Sequence, residues 1–299
     1  MNKQTMVLAI AALAAGGAFA QANDTLAKIK ASGVITEGVR ESSGLSYTLG
    51  NGVYTGFHYD VCANIIKDIE KAVGRTVQTK YQPVTSQNRI PLVQNGTVDL
   101  ECGSTTNNTA RAKDVSFAVT TYVEEVRIAV KASSGINSVA DLKGKTIATT
   151  TGTTSVQTLR KHKRAEGVEF KEVFGKDHSD SFLLLESGRA DAFVMDGSIL
   201  AANIAKSKAP NDFKIVGEVL NVEPIAIMIR KGDDAFKKVV DDSIKAQIAS
   251  GDMEKLYDKW FLKPIPPANV TIGLALSDAT KDAWANPNDK PMEEYKLKD

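Results

Sequence analysis

Thr146-Ile-Ala-Thr-Thr-Thr-Gly-Thr-Thr-Ser155 decides the fold class of this chain. Thr146 to Thr149 reads as a strand that runs, through Thr150-Thr151-Gly152-Thr153-Thr154-Ser155, into a helix reaching about His162. The same strand-then-helix unit recurs on both sides. Val34 to Val39 is a strand. Asp60 to Val73 is a helix, with Cys62, Ile65, Ile66, Ile69 and Val73 on one face at 3.6-residue periodicity. Val77 to Gln82 and Val98 to Glu101 are strands, the first followed by a Thr85-Ser86 cap. The pattern restarts with strands at Val126 to Val130, Phe170 to Val173, Ala192 to Met195 and Ile225 to Ile229. Short helices are expected at Ser138 to Leu142 and Ser181 to Ser187, and long ones at Ala235 to Ala249 and Met253 to Trp260. Such alternation is the mark of an α/β fold. Beyond Pro264-Ile-Pro-Pro267 the tail reads as polar and loop-like.

Two α/β units fit the 299 residues. No Pro/Ser-rich linker separates them, so the connections are expected to be strands crossing between lobes, near Arg127 to Lys131 and Ile225 to Arg230. The expected division is residues 23–126 plus 231–299 as one lobe, with residues 127–230 inserted as the other.

The first 22 residues read as a secretory signal peptide: Lys3, an apolar stretch from Met6 to Ala15, and the small-x-small pattern Ala18-Phe19-Ala20. Cleavage after Ala20 and after Ala22 both fit. A membrane anchor needs about 20 apolar residues, more than this run has, and no cysteine follows it to carry a lipid. The full chain has 37 basic and 36 acidic residues. Losing Lys3 leaves a nominally neutral, exported protein with no long-range pull on nucleic acid or anionic lipid.

Two cysteines exclude a disulfide-rich scaffold and a four-cysteine zinc site. In an oxidising compartment Cys62 and Cys102 either form one disulfide or stay as two buried thiols. No HExxH pattern is present, and no cofactor is implied. Gly144-Lys145-Thr146 lacks the glycine a phosphate loop needs at position 139, where Val139 stands.

The polar residues of interest share one kind of place. Arg40 follows a strand. Ser86 and Arg89 follow another at a helix start. Ser104 and Thr106 follow a third, with Arg111 just beyond. Thr153 and Thr154 follow a fourth, and Asp196 ends a fifth. Open α/β sheets bind ligands outside the carboxyl ends of their strands, where helix N-termini present free N–H groups. Arg40, Arg89 and Arg111 stand against the single acid Asp196. A zwitterionic amino acid needs one guanidinium and one acid, so the additional arginines call for additional carboxylate on the ligand. An acidic amino acid matches that count.

Gly56-Phe57-His58-Tyr59-Asp60-Val61 resembles the G-F-x-x-D signature of family 3 extracellular solute-binding proteins, the soluble receptors of ABC-type polar amino-acid importers. Val39-Arg40-Glu41-Ser42, Thr85-Ser-Gln-Asn-Arg-Ile-Pro-Leu-Val-Gln-Asn-Gly-Thr97, Glu101-Cys-Gly-Ser-Thr-Thr-Asn-Asn108, Lys176-Asp-His-Ser-Asp-Ser-Phe182 and Leu185-Glu-Ser-Gly-Arg-Ala190 are similar to the glutamate/aspartate-binding branch. His58 departs from the broader signature, which usually has an acid there. The resemblance implies a two-lobed periplasmic-binding-protein fold with the ligand between lobes. It implies that Arg111, helped by Ser104 and Thr106, holds the α-carboxylate. It likewise gives the side-chain carboxylate to Arg40, Ser86, Arg89 and His178, a further contact to Thr154, and the ammonium to Asp196. The implied partners are L-glutamate or L-aspartate and the membrane permease of an importer, with the receptor a periplasmic monomer. Two rivals remain: an exported enzyme on the same fold, such as a cyclohexadienyl dehydratase, and a sensor that hands the ligand to a membrane kinase.

Overall fold

The computed structural model describes residues 24–296; the segment read as a signal peptide lies outside the described residues. In chain order the main elements are α1 (Thr25–Ser32), β1 (Val34–Val39), β2 (Tyr47–Gly50), β3 (Val53–Thr55), α2 (Phe57–Val73), β4 (Gln78–Pro83), α3 (Arg89–Gln94), β5 (Leu100–Glu101) and β6 (Val115–Lys131). They continue with β7 (Thr146–Thr150), α4 (Thr154–Glu166), β8 (Lys171–Gly175), α5 (His178–Glu186), β9 (Ala192–Asp196), α6 (Gly197–Lys206), β10 (Phe213–Arg230), α7 (Asp234–Ala249), α8 (Asp252–Tyr257) and α9 (Asp278–Ala285).

Eight strands form one sheet in the order β4-β1-β5-β10-β6-β9-β7-β8. The outer trios are parallel within themselves, as crossover helices require. Between them β6 and β10 run antiparallel along nearly their whole length, from Phe213↔Lys131 to Arg230↔Val115. One half of this pair carries β5 and the other carries β9. The two strands therefore pass from one lobe into the other, and register breaks near Asn221 and Ala226 mark where they bend.

These strands are longer than the apolar runs predict. Thr120, Thr121, Glu124 and Glu223 are all buried polar residues within them, and they interrupt the hydrophobicity by which a buried strand is recognised. The tail also departs from expectation. It carries α9, capped where Ser277 Oγ accepts from Thr280 N, with Trp284 buried against the crossing strands.

Each lobe has its own core. Ile29, Ile35, Phe57, Ile65, Phe236, Ile244, Tyr257 and Phe261 pack together on one side. Ile128, Ile147, Leu159 and Val194, with the neighbouring Phe182, Phe193 and Ile199, fill the other. Trp260 and Phe261 are core, and Trp260 Nε1 donates to Asp60 Oδ2 at 2.8 Å.

Cys62 on α2 and Cys102 beyond β5 are joined in a disulfide, with Cα atoms 6.4 Å apart and a sequence separation of 40. Cross-linking a loop of that size removes unfolded-state freedom worth about 3–4 kcal/mol. The oxidised protein is expected to unfold at clearly higher denaturant than its Cys62→Ala/Cys102→Ala counterpart. Coincident unfolding midpoints for the two would show that the bridge contributes no stability.

Candidate ligand-binding site

The strand ends converge where the lobes meet. Arg40, immediately after β1, is fully buried. Its Nη2 lies 3.1 Å from Ser86 Oγ, 3.0 Å from Asp177 Oδ1 and 3.0 Å from His178 Nε2. Ser86 belongs to the first lobe, Asp177 and His178 to the second, so this guanidinium spans the cleft. Ser42 Oγ reinforces the crossing by donating to Asp177 Oδ2 at 2.8 Å. Burial alone pushes the Asp177 carboxyl up, but Arg40 overrides it and holds the group below its ordinary value.

His178 opens α5. Burial, and then the Arg40 charge, push its imidazole down to about 3, so it is neutral at physiological pH. Because Arg40 can only donate, His178 Nε2 must accept and Nδ1 carries the proton toward Thr150 Oγ1 at 3.0 Å. Thr150 passes the chain on to Ser181 Oγ at 2.8 Å, whose hydroxyl is within 3.1 Å of Thr149 O. Each proton in this relay has one direction.

Arg89 begins α3 and is buried, with Nη1 donating to Ser104 O at 3.3 Å. Burial disfavours its charge, and Arg111 and Arg40 add to that cost. Arg111 is half-buried in the loop after Thr106, donating from Nη1 to Thr106 O at 2.9 Å. Neither Arg89 nor Arg111 has a carboxylate ion-pair partner among the described residues. Arg40 Nε and Nη1, Arg89 Nε, Ser104 Oγ and Asp196 Oδ1 are all buried without a protein partner. Buried donors and acceptors left so are costly, and here they cluster in one cleft.

At the other end stands a residue that the sequence reasoning passed over. Glu223, fully buried on β10, accepts at Oε2 from Thr106 Oγ1 and Thr154 Oγ1, each at 2.6 Å. Its Oε1 accepts from Asn221 Nδ2 at 3.1 Å. Thr106 and Thr154 come from opposite lobes, and each has a single hydroxyl proton. With both protons committed to Glu223, both oxygens offer only lone pairs to the cleft. Asp196 ends β9 nearby; burial, then the Glu223 carboxylate, push it up to about 8 against the pull of Arg89, Arg111 and Arg40. The signal for Glu223 was an acid inside the apolar run from Val219 to Ile229.

The count of three guanidiniums to one acid is thus corrected. Glu101, Asp177 and Glu223 join Asp196 around the arginines. Placement, not the tally, polarises the cleft, because Asp177 is engaged by Arg40 and Ser42, Glu101 accepts from Thr105, and Glu223 from the two threonines. Thr153 stands apart from the cluster's bonding. It is the N-cap of α4, and its hydroxyl donates to Thr150 O at 2.8 Å within its own turn. His58 is outside the cleft and buried, held between Gly103 O and Thr121 Oγ1, where it braces the strand end that leads to Ser104.

The lobes are closed on one another. Gly152 has φ +82°, and a Cβ there would meet Ser86 O at 2.9 Å, so only glycine permits this approach. A cavity of about 530 Å³ opens at the mouth, lined by Arg111, Gly152, Thr154, Gln157, Arg160 and Phe174.

Residues 35–263 match the bacterial extracellular solute-binding proteins, family 3. This chain belongs to that family. Its fold is accordingly the two-lobed α/β architecture of periplasmic amino-acid-binding proteins. The glutamate/aspartate import solute-binding protein of Salmonella typhimurium is 42% identical, over 98% of this chain and 99% of its own length. The L-glutamate/L-aspartate-binding protein of Pseudomonas aeruginosa is 43% identical over 90% of each chain. Among solved structures, an ancestral amino acid-binding protein, described as a precursor of cyclohexadienyl dehydratase, superposes with a TM-score of 0.68 at 28% identity. That match covers 79% of this chain and 99% of the other. Both of these curated relatives are named as binding proteins.

Proposed function

We propose that this family 3 receptor captures L-glutamate and L-aspartate outside the cytoplasm and delivers them to the permease of an ABC importer. The observation that carries the reading is the polarity of the cleft. Buried, partner-poor guanidinium N–H groups face one side, and the lone pairs of Thr106, Thr154 and Asp196 face the other. A molecule with two carboxylates and one ammonium satisfies both ends. The relatives named above are described as binding these amino acids.

In this reading Arg111, with Ser104, holds the α-carboxylate. Arg89 and Arg40, with Ser86, hold the side-chain carboxylate, and His178, whose Nε2 accepts from Arg40, orients that guanidinium rather than meeting the carboxylate itself. Asp196, Thr106 and Thr154 take the ammonium, and Thr153 presents the start of α4. Residues 127–230 form the inserted lobe, residues 23–126 and 231–299 the other, and β6 and β10 are the hinge. Residues 1–22 act as the export signal of a monomeric receptor. No helix among the described residues is long and apolar enough to cross a membrane. The chain binds without turning its ligand over: the bonds of Asp177 and Glu223 organise the cleft, and Asp196 serves an ammonium.

Hinge closure is the means of capture. Small-angle scattering of the mature protein should show a smaller radius of gyration with saturating glutamate than without, alongside binding heat in calorimetry. Binding with superimposable scattering curves would remove hinge capture. Absence of binding by either acid would remove the ligand assignment.

A further inference from the structure

The family match ends at residue 263, and the polypeptide beyond it is not idle. Ser277 to Tyr295 lies along both crossing strands. Trp284 Nε1 donates to Thr121 O at 2.9 Å, Thr120 N donates to Asn288 O at 2.8 Å, and Ala283 packs with Val123 and Val222. From there the segment reaches the loop that carries Thr106 and Arg111. Met292 N donates to Asn107 O, and the buried Asn107 side chain donates back to Asp289 O, each at 2.8 Å. Glu293 accepts from Thr109 twice, from its N–H at 3.0 Å and its hydroxyl at 2.8 Å. On its opposite edge the same loop is bonded to β10, where Asn107 N donates to Pro224 O at 2.9 Å.

The loop is therefore clamped between a hinge strand and a segment outside the family-wide match. We propose that Ser277 to Tyr295 is a strap that positions the Thr106–Arg111 loop for ligand, with Glu293 and Asn107 as its positioning residues. Besides the loop, the strap meets Asn221, whose Nδ2 lies 3.1 Å from Met292 Sδ and also donates to Glu223 Oε1. It acts by holding the Arg111 backbone in place while resting on the strands that must bend for closure. This deepens the function proposed above and rests on it for the role of Arg111.

Glu293 is exposed, so truncating it leaves the cores intact. In full-length mature protein, Glu293→Ala should speed amide exchange at Thr109 and Arg111 about tenfold in the absence of ligand, with the melting midpoint almost unmoved. It should weaken glutamate and aspartate alike, by about three- to tenfold, because one charge-assisted anchor of the loop is lost. Glu293→Gln can still accept from the Thr109 N–H and donate to its hydroxyl oxygen, and should restore most of both effects. Unchanged exchange at Thr109 and Arg111 in Glu293→Ala overturns the strap's role whatever the ligand. Faster exchange with unaltered affinity overturns its link to binding. If the wild-type protein binds neither acid, the functional reading fails instead, and the exchange comparison still decides whether the strap holds the loop.

Discussion

Asp196→Ala is expected to weaken glutamate by two to four decades. The carboxylate sits in a buried cleft with Oδ1 unpartnered, between Glu223 and the arginine cluster. Without it the ligand ammonium enters a closed site facing only threonine lone pairs and a carboxylate already occupied by hydroxyl donors. Leaving one member of a buried ion pair alone costs about 3–5 kcal/mol, which converts to about two to four powers of ten in affinity. A proton accompanies the same event. Burial, then Glu223, push Asp196 up to about 8 between the closed lobes, so at neutral pH it takes up a proton there unless a cation lies beside it. The arriving ammonium favours the ionised form and expels that proton. Affinity should therefore fall as pH is lowered from about 8, approaching tenfold per unit, because binding releases one proton. Calorimetry at pH 7 in buffers of different ionisation enthalpy measures the release directly. Equal heats in all buffers, or near-normal affinity in Asp196→Ala, would take Asp196 out of the ammonium site.

How far the sequence foretold this arrangement depends on the kind of signal each residue leaves. Strands such as Val34–Val39 and helices such as the one ending at Val73 announce themselves by periodicity, because one face must be apolar. The strand ends were legible for the same reason: polar residues that directly follow an apolar run have few places to go except the edge of the sheet. Arg40, Ser86, Arg89, Ser104, Thr106, Arg111, Thr154, His178 and Asp196 do converge. Glu223 was missed because it sits within a strand rather than at its end, and an acid there makes sense only once Thr106 and Thr154 are known to meet it. Asp177 was hidden as an ordinary helix cap beside His178. The tail helix was missed because its eight residues, Asp278 to Ala285, are too few for a clear period. Its Ser277 cap was the available clue. In each case the missing information was tertiary: which distant residue supplies the bond.

Glutamine should bind at least about a hundredfold more weakly than glutamate, because a site built to bond one group rejects an analogue that cannot answer it. The two ligands have nearly the same shape, so the pocket cannot separate them sterically. They differ in that the amide NH2 group brings donors where the carboxylate brings acceptors. At that end of the cleft Arg40 Nε and Nη1 and Arg89 Nε are buried donors without partners, and the Ser86 hydroxyl already accepts from Arg40. The two arginines are not equivalent. Arg40 is ion-paired with Asp177 at 3.0 Å, whereas Arg89 bonds a backbone carbonyl, and the attraction of Glu101 and Asp196 is smaller than burial and the repulsion of Arg111 and Arg40. A ligand carboxylate would thus be the counter-charge in direct contact with Arg89. Arg89→Met should weaken glutamate more than Arg40→Met does, and it should narrow the gap to glutamine, since it removes the charge that glutamine fails to answer. Arg111→Met should weaken glutamate and glutamine by the same factor, because it serves the α-carboxylate they share. A competition titration with labelled glutamate separates these outcomes. Displacement by glutamine at equal concentration, or a glutamate-to-glutamine ratio untouched by Arg89→Met, would mean that the side-chain carboxylate is held elsewhere. The preference for acidic amino acids would then need another physical origin than the uncompensated guanidinium of Arg89.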